Sequence, residues 1–268
     1  MSPIITWTFS PILFSIGPVT IRWYGVLFVG AFLLGQFILG RIFSSEGVAQ
    51  QRAESLLVSA LVGGVVGARL AHCLFYEPSY YLHNPLAILR VWEGGLASHG
   101  GVVGVLVGIW LASRRFQPRL SFAWILDRAA IPAALGAALI RVANFLNSEI
   151  VGVPTSGGWG VIFTAVDQLP RHPVQAYEAI AYTITGLILW SMYRHRGRNI
   201  PRGFLFGWLL VLVFSARFFL EAWKVPQAAY EAGQLISVGQ YLSLPFVACG
   251  VAAIWWSRRA VVPGPFVR

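Results

Sequence analysis

Residues 136–152 read GAALIRVANFLNSEIVG. The run opens as an Ala-rich apolar helix and closes on Arg141, Asn144, Asn147 and Glu149, with Gly152 at its end. An arginine at the centre of a bilayer helix costs about 2.5–3.5 kcal/mol on insertion scales. A group that expensive calls for a charged or polar ligand, so the surroundings of this helix end decide what kind of chain this is.

The flanking sequence puts the run in a membrane. The chain has 268 residues, 57% of them hydrophobic and 11% charged, with a mean hydropathy of +0.67. A soluble domain carries about 25% charged residues, so one large soluble core is excluded. Spanning a bilayer core takes about 20 residues. Seven apolar runs read as spans, the third of them short: 22–43, 55–76, 99–114, 121–144, 174–194, 203–221 and 238–257. The expected fold is all-α, a single polytopic membrane domain over 1–268 with about seven transmembrane helices. Residues 145–173 carry Gly152, Pro154, Gly157, Gly158 and Gly160, which predicts a small irregular or β-containing outer (periplasmic) cap between the fourth and fifth spans. Eleven tryptophans, several near the ends of apolar runs, fit interfacial anchoring.

The net charge of +10 raises nucleic acid as a partner, but its distribution argues against that. Arg114, Arg115 and Arg119, then Arg194, Arg196, Arg198 and Arg202, then Arg258 and Arg259 fall in short gaps between apolar runs. Twelve Lys and Arg lie in connections on one side and four on the other. The positive-inside rule then predicts an outer N-terminus and a cytoplasmic C-terminus. No basic residue precedes Arg22, so the start does not read as a cleavable signal peptide. Cys73 and Cys249 sit inside apolar runs and read as small buried hydrophobes. No internal repeat is visible, which weighs against an inverted-repeat transporter. Gly63 and Gly67, with Gly100, Gly104 and Gly108, recur every fourth residue and predict close helix packing.

Four arginines lie inside spans: Arg69, Arg128, Arg141 and Arg217. Arg128 is in an inner half beside Asp127, where neutralisation and snorkelling explain it. Arg69, Arg141 and Arg217 fall in the outer thirds of their helices. His99 opens the third span and Tyr24 the first at the same predicted level, so one outer-leaflet site is expected. Arg141 and Asn144 are i,i+3 and share a helix face; Arg217 and Glu221 are i,i+4. Two arginines in one pocket suit a phosphate, whose oxygens match the planar guanidinium fork. Glu149 can balance that charge or orient Arg141, and Glu178 is either an interfacial cap or a partner behind the site. His99, flanked by Gly94, Gly95, Gly100 and Gly101, is the candidate general base. His72, one turn beyond Arg69, belongs to this layer or to packing, and His83 and His195 receive no role.

Several chemistries are set aside. No HExxH or paired CxxC offers a metal site, and no GxSxG offers a serine nucleophile. The two aspartates, Asp127 and Asp167, are placed too differently to form an intramembrane dyad. With no nucleophile of its own, the chain points to direct transfer between two bound substrates. An anion transporter using Arg141 and Arg217 is the competing class. It calls for polar groups continuing to the inner face, where the sequence offers little beyond Asp127 and Arg128.

At these residues the chain resembles the bacterial prolipoprotein diacylglyceryl transferases. The likeness covers almost the whole chain. It runs through Ile21-Arg22-Trp23-Tyr24-Gly25, Gly94-Gly95 to His99-Gly100-Gly101, and Gly136 with Arg141-x-x-Asn144-Phe145-x-Asn147-x-Glu149-x-x-Gly152. It continues through Arg171-His172-Pro173, Gln175, Tyr177-Glu178, Arg217-Phe218-Phe219-x-Glu221 and Gly239-Gln240 to Pro245. Ser148 departs from the glycine the family often has before the glutamate, which bears on local backbone geometry alone.

The resemblance implies an enzyme of the bacterial cytoplasmic (inner) membrane. It would move the diacylglyceryl group of phosphatidylglycerol, a membrane lipid, to the lipobox cysteine of prolipoprotein signal peptides. A thioether forms, glycerol phosphate leaves, and neither a cofactor nor a metal is needed. A thiol attacks as thiolate, so His99 is expected as base, with Arg141 and Arg217 stabilising the leaving phosphate. By similarity Tyr24, Asn144, Glu149 and Glu221 orient lipid and arginines. Asn147, Gly100 and Arg69 complete the candidate set.

Overall fold

The structure is a computed structural model, and it describes residues 4–17, 19–225, 236–259 and 265. Short strands β1 (Ile4–Trp7), β2 (Ile12–Ile16) and β3 (Val19–Arg22) precede helix α1 (Trp23–Ser45). Then come α2 (Gln50–Phe75), the short α3 (Pro78–His83), α4 (Ser98–Arg115) and α5 (Phe122–Leu146). Strands β4 (Gly160–Phe163) and β5 (Pro170–Arg171) separate α5 from α6 (Val174–Arg196), α7 (Phe204–Leu220) and α8 (Val238–Ser257).

The seven long helices overlie the apolar runs read from sequence; the largest departure is α2, which begins at Gln50 because its first turns are polar. Among the described residues five helices are long and apolar enough to cross a membrane: Trp23–Ser45, Gln50–Phe75, Phe122–Leu146, Phe204–Trp223 and Val238–Ser257. Large apolar side chains such as Phe28, Val29, Leu33 and Phe37 of α1 are exposed on their outer faces, as a multi-pass membrane protein requires. Most of the expected connection 222–238 lies outside the described residues, as does Arg268.

The chain forms two compact units, Met1–Ile38 with Leu126–Val262, and Leu39–Ile125 with Pro263–Arg268. In the second, α2 and α4 meet backbone to backbone. A Cβ on Gly67 would press against the Gly100 carbonyl, and one on Gly104 against the Gly63 carbonyl. The glycine periodicity is therefore explained by close approach. Gly100 serves that contact, its Cβ position filled by Gly67 and by Ala71.

In the first unit Asp127 of α5 caps α7, accepting hydrogen bonds from the N–H groups of Gly203 at 2.7 Å and Phe206 at 3.0 Å. It thus satisfies donors that a helix start leaves orphaned. Arg128 is fully buried and does not snorkel as expected. Further along, α7 and α8 touch through Gly207 and Gly250, whose carbonyls sit where each other's Cβ would be, at 2.8 and 2.7 Å. Of the two free cysteines Cys73 is buried, whereas Cys249 is exposed, contrary to expectation.

The 145–173 segment contains β4 and β5, and it recruits the N-terminus. β1 pairs parallel to β4 from Ile4↔Gly160 to Trp7↔Phe163, and β5 pairs antiparallel on its other edge. Trp7 packs tilted against Phe145, at 4.7 Å between centroids, and Phe145 meets the buried Phe163 edge-on at 5.4 Å. These rings anchor the end of α5. Gly152 bridges to Lys224, Val153 N–H donates to Trp223 O at 2.8 Å, and Gly152 N–H to His172 O at 3.1 Å. The ends of α5 and α7 and the start of α6 are thereby tied to one segment.

Candidate active site

The helix α5 stops because its chain turns left-handed. Ser148 has φ 55° and Ile150 has φ 53°, an uncommon backbone for a residue with a Cβ and an outlier for a β-branched one. Glu149 sits between them. Its N–H donates to Asn144 O at 2.9 Å, and buried Gln175 donates from Nε2 to Glu149 O at 2.5 Å. The Glu149 carboxylate then accepts from Asn144 Nδ2 and Asn147 Nδ2, each at 3.1 Å. Arg141 Nη1 donates to Asn144 Oδ1 at 3.4 Å. So Asn144 mediates between the guanidinium and the Glu149 carboxylate, instead of Glu149 pairing with Arg141.

The carboxylate that holds Arg141 is Glu178. Its Oε2 stands 3.2 Å from Arg141 Nε, and its side chain is fully buried in α6. Oε1 accepts from Lys224 Nζ at 2.9 Å and from the Tyr182 hydroxyl at 3.2 Å. Lys224 Nζ also donates to Glu221 Oε2 at 2.9 Å. The expected Arg217–Glu221 pair is looser, with Nη2 and Oε2 3.9 Å apart. Glu221 is committed to Lys224 rather than to Arg217. Gly239 of α8 is pressed against that same carboxylate, where a Cβ would collide with it. Tyr182 lies within electrostatic reach of both Arg141 and Arg217, so the two arginines flank one buried hub. The Arg217 guanidinium has no hydrogen bond among the described residues and is about one-third exposed (31%), which leaves it open to a ligand.

A cleft of about 1100 Å³ opens between α1 and the turn after α5, and Arg141, though not in its lining, is linked to it through Asn144, which bonds the lining Glu149. Arg22, Tyr24, Asn147 and Glu149 line its polar part, and Val26, Val29 and Leu33 of α1 line its apolar part. Tyr24 is within electrostatic reach of Glu149 and Arg141. A polar end with an aliphatic strip beside it is the lining an amphiphile needs.

Tyr24, Arg141, Asn144, Asn147, Glu149, Arg217 and Glu221 all belong to the first unit, and Arg69, His99 and Gly100 to the second. Arg69 is engaged by backbone carbonyls. It is buried, and its guanidinium donates to Ile88 O at 2.9 Å, Gly94 O at 2.6 Å and Ala87 O at 2.6 Å, with its charge 5.1 Å from the Tyr81 ring. It clamps the 87–95 loop by satisfying these backbone carbonyls. His72 packs on Tyr76 with centroids 5.5 Å apart. His99 is exposed in the first turn of α4, with the rings of Tyr76 and Phe75 6.0 and 6.4 Å away. It stands at one end of an apolar groove of about 730 Å³ between α2 and α4, with Arg115 at the other.

Lys224, Gln175 and Tyr182 carry the site and went unassigned in the sequence. Lys224 was read as a topology charge; the signal available was that it is the chain's one lysine, three residues after Glu221. In the cap, Arg171 forms a two-pronged pair with Asp167 and donates to Gly152 O at 2.9 Å.

The chain as a whole is similar to known proteins. Residues 11–256 match the family model described as prolipoprotein diacylglyceryl transferase. A Tolumonas auensis protein named phosphatidylglycerol--prolipoprotein diacylglyceryl transferase is 52% identical, over 94% of this chain and 97% of its own length. Proteins of the same name from Chloroherpeton thalassium and Porphyromonas gingivalis are 49% and 42% identical, each over 96% of this chain and over 96% and 95% of their own lengths. None of these three is named as a transporter, and the anion-transport reading finds no support in them. With the match spanning β2, β3, the Arg141 helix end and nearly all of α8, the chain belongs to the prolipoprotein diacylglyceryl transferase family.

Proposed function

We propose that this chain transfers the sn-1,2-diacylglyceryl group of phosphatidylglycerol to the thiol of a lipobox cysteine in an exported prolipoprotein. The observation that carries this reading is the cleft in which Tyr24, Asn147 and Glu149 adjoin the aliphatic strip of α1. Arg141, linked to it through Asn144, is pinned by Glu178, and Arg217 is left uncommitted. A phosphodiester needs the cations and its acyl chains need the strip.

In the proposed reaction the cysteine thiolate attacks the diacylglyceryl carbon that bears the phosphate oxygen. The carbon–sulfur bond forms as the carbon–oxygen bond breaks, and the electron pair leaves with glycerol phosphate. The thiol proton passes to His99, whose assignment rests on its sequence setting. Arg141 and Arg217 stabilise charge gathering on the departing phosphate, an interaction strongest in the transition state. Asn144 and Glu149 hold the arginine and the lipid headgroup in register, Tyr24 contacts the headgroup, and Glu221 with Lys224 fixes the hub behind them.

The same reading makes the chain a single seven-span protein of the bacterial inner membrane. Its N-terminus and the 145–173 cap face outward and its C-terminus inward, on the basic-residue asymmetry. Transfer then takes place toward the outer leaflet.

Purified protein, phosphatidylglycerol vesicles and a lipobox peptide with one cysteine test the activity. Glycerol phosphate release that requires the cysteine, with a thioether on the peptide, is expected. Folded protein giving neither product would sink the reading.

A further inference from the structure

The end of α7 opposite Arg217 carries a second polar cavity. It occupies about 540 Å³ where the ends of α6 and α8 meet the start of α7, and His195, Arg196 and Arg258 line it with Asn199, Phe204 and Trp208. Phe204 and Arg217 are thirteen residues apart on α7, about 20 Å at 1.5 Å per residue, so this cavity is separate from the proposed transfer site.

Its electrostatics are one-sided. No acidic residue is among those lining it. Arg196 is held with its guanidinium 4.1 Å from the centroid of the Phe204 ring, which fixes its charge without neutralising it. Two helix C-termini approach the cavity, each equivalent to about −0.5 charge. With Arg196 and Arg258 set against these partial charges, and the opposite partial charge at the start of α7 offsetting one of them, the lining is positive overall. That surplus suits an anionic phosphodiester headgroup. Trp208 Nε1 is buried and has no hydrogen-bond partner among the described residues, and a buried donor of this kind calls for an acceptor. Trp255 and Trp256, at the end of α8 beside Arg258, are 56% and 73% exposed. Such residues mark the headgroup level of a bilayer.

We propose that this cavity binds the phosphate headgroup of an anionic phospholipid, bracing α6, α7 and α8 in the leaflet opposite the transfer site. Basic pockets between membrane helices are suited to such headgroups. The tryptophan belt favours a lipid over a soluble phosphate. The proposal rests on the chain lying in a membrane, and it does not depend on the transferase reading.

The test uses the full-length protein in neutral detergent with cardiolipin as the probe, since it carries the phosphodiester without being the transfer substrate. Binding is followed by native mass spectrometry and by Tm, and transfer from phosphatidylglycerol is assayed on the same preparation as a control for folding. One retained cardiolipin and a raised Tm are expected in the parent. The R196Q/R258Q double variant should bind at least about tenfold more weakly and lose the Tm rise, with transfer activity kept. If that variant does not fold, R258Q alone, at an exposed position just after α8, should weaken binding by a smaller factor. Equal cardiolipin binding by parent and a folded variant would overturn the proposal. Inorganic phosphate raising Tm as much as cardiolipin at equal concentration would overturn the lipid assignment. Phosphatidylcholine matching cardiolipin would overturn the role of charge.

Discussion

Glu178 and Arg141 come from different helices, α6 and α5, and meet with Oε2 and Nε 3.2 Å apart in a setting where the glutamate is fully buried. The other Glu178 oxygen holds Lys224 at 2.9 Å, so one carboxylate fixes two cations. Breaking a buried pair by removing one partner costs about 3–5 kcal/mol because a charge is stranded. Glu178→Gln is therefore expected to lower Tm strongly and to cut kcat by about two orders of magnitude, by releasing Arg141 from its productive orientation. Lys224 keeps its 2.9 Å contact with Glu221, so adding Lys224→Met strands that carboxylate in turn, and the double variant should lose less Tm than the sum of the two single losses because the Glu178–Lys224 contact is lost only once. Additive losses in thermal melts of the four proteins would show that Glu178 and Lys224 do not interact.

Arg217 differs from Arg141 in having only the 3.9 Å approach to Glu221. Its removal strands no close partner. Arg217→Ala should leave Tm nearly unchanged while kcat/KM falls about 10²–10³-fold, the scale of losing one electrostatic contact to a transition state. Arg217→Lys should recover only part of this, because an ammonium cannot offer the planar two-pronged fork. Steady-state kinetics beside melting curves separate the two effects, and an equal loss of Tm would assign Arg217 to the fold.

The fold was legible where one residue's neighbours in sequence are also its neighbours in space. Arg141 and Asn144 share a helix face by spacing alone, and the structure joins them. The glycines of α2 and α4 announced their close approach in the same way. Glu178 and Lys224 meet across 46 residues, so no local pattern could pair them. Arg69 matched Arg141 in helix depth yet donates to loop carbonyls, because depth does not reveal which backbone a guanidinium will find. β1 joining the cap as a parallel strand is likewise a pairing that no turn signal announces.

Ser148 stands immediately before Glu149 and sits at φ 55°. A left-handed conformation costs a residue with a Cβ roughly 1–2 kcal/mol relative to the right-handed one, whereas glycine adopts it freely. Part of that gain is offset by the greater freedom of glycine in the unfolded chain. Ser148→Gly should therefore raise Tm slightly with activity unchanged. A lower Tm would mean that the serine hydroxyl contributes more than its backbone costs.

Gly239 faces the Glu221 carboxylate with no room for a Cβ. Gly239→Ala must push Glu221 away from Lys224, at the overpacking cost of about 1–3 kcal/mol. The expected result is a lower Tm together with a fall in kcat. Glu221→Gln in the same background should show a smaller additional loss than in the parent, since the contact is already displaced. Full additivity in that cycle would place the effect of Gly239 elsewhere.

Asp167 and Arg171 supply a pH dependence that lies outside the long apolar helices. The Arg171 hydrogen bonds hold the Asp167 carboxyl below its ordinary value, with burial opposing them weakly, and Asp167 in turn raises Arg171. A depressed carboxyl titrates lower in the folded chain than in the unfolded one, whose value is about 3.9. Its stabilisation is thus complete well above pH 4 and is lost as pH falls through the folded-state value. Arg171 stays charged throughout and adds no slope. The Tm difference between parent and Asp167→Asn should be constant from neutral pH down to about pH 5 and should shrink below about pH 4. A difference that grows on acidification would mean the pair does not hold the cap. Because Arg171 also donates to Gly152 O, loss of the pair loosens the segment carrying Glu149, so KM for the lipid should rise in Asp167→Asn at neutral pH while kcat changes less.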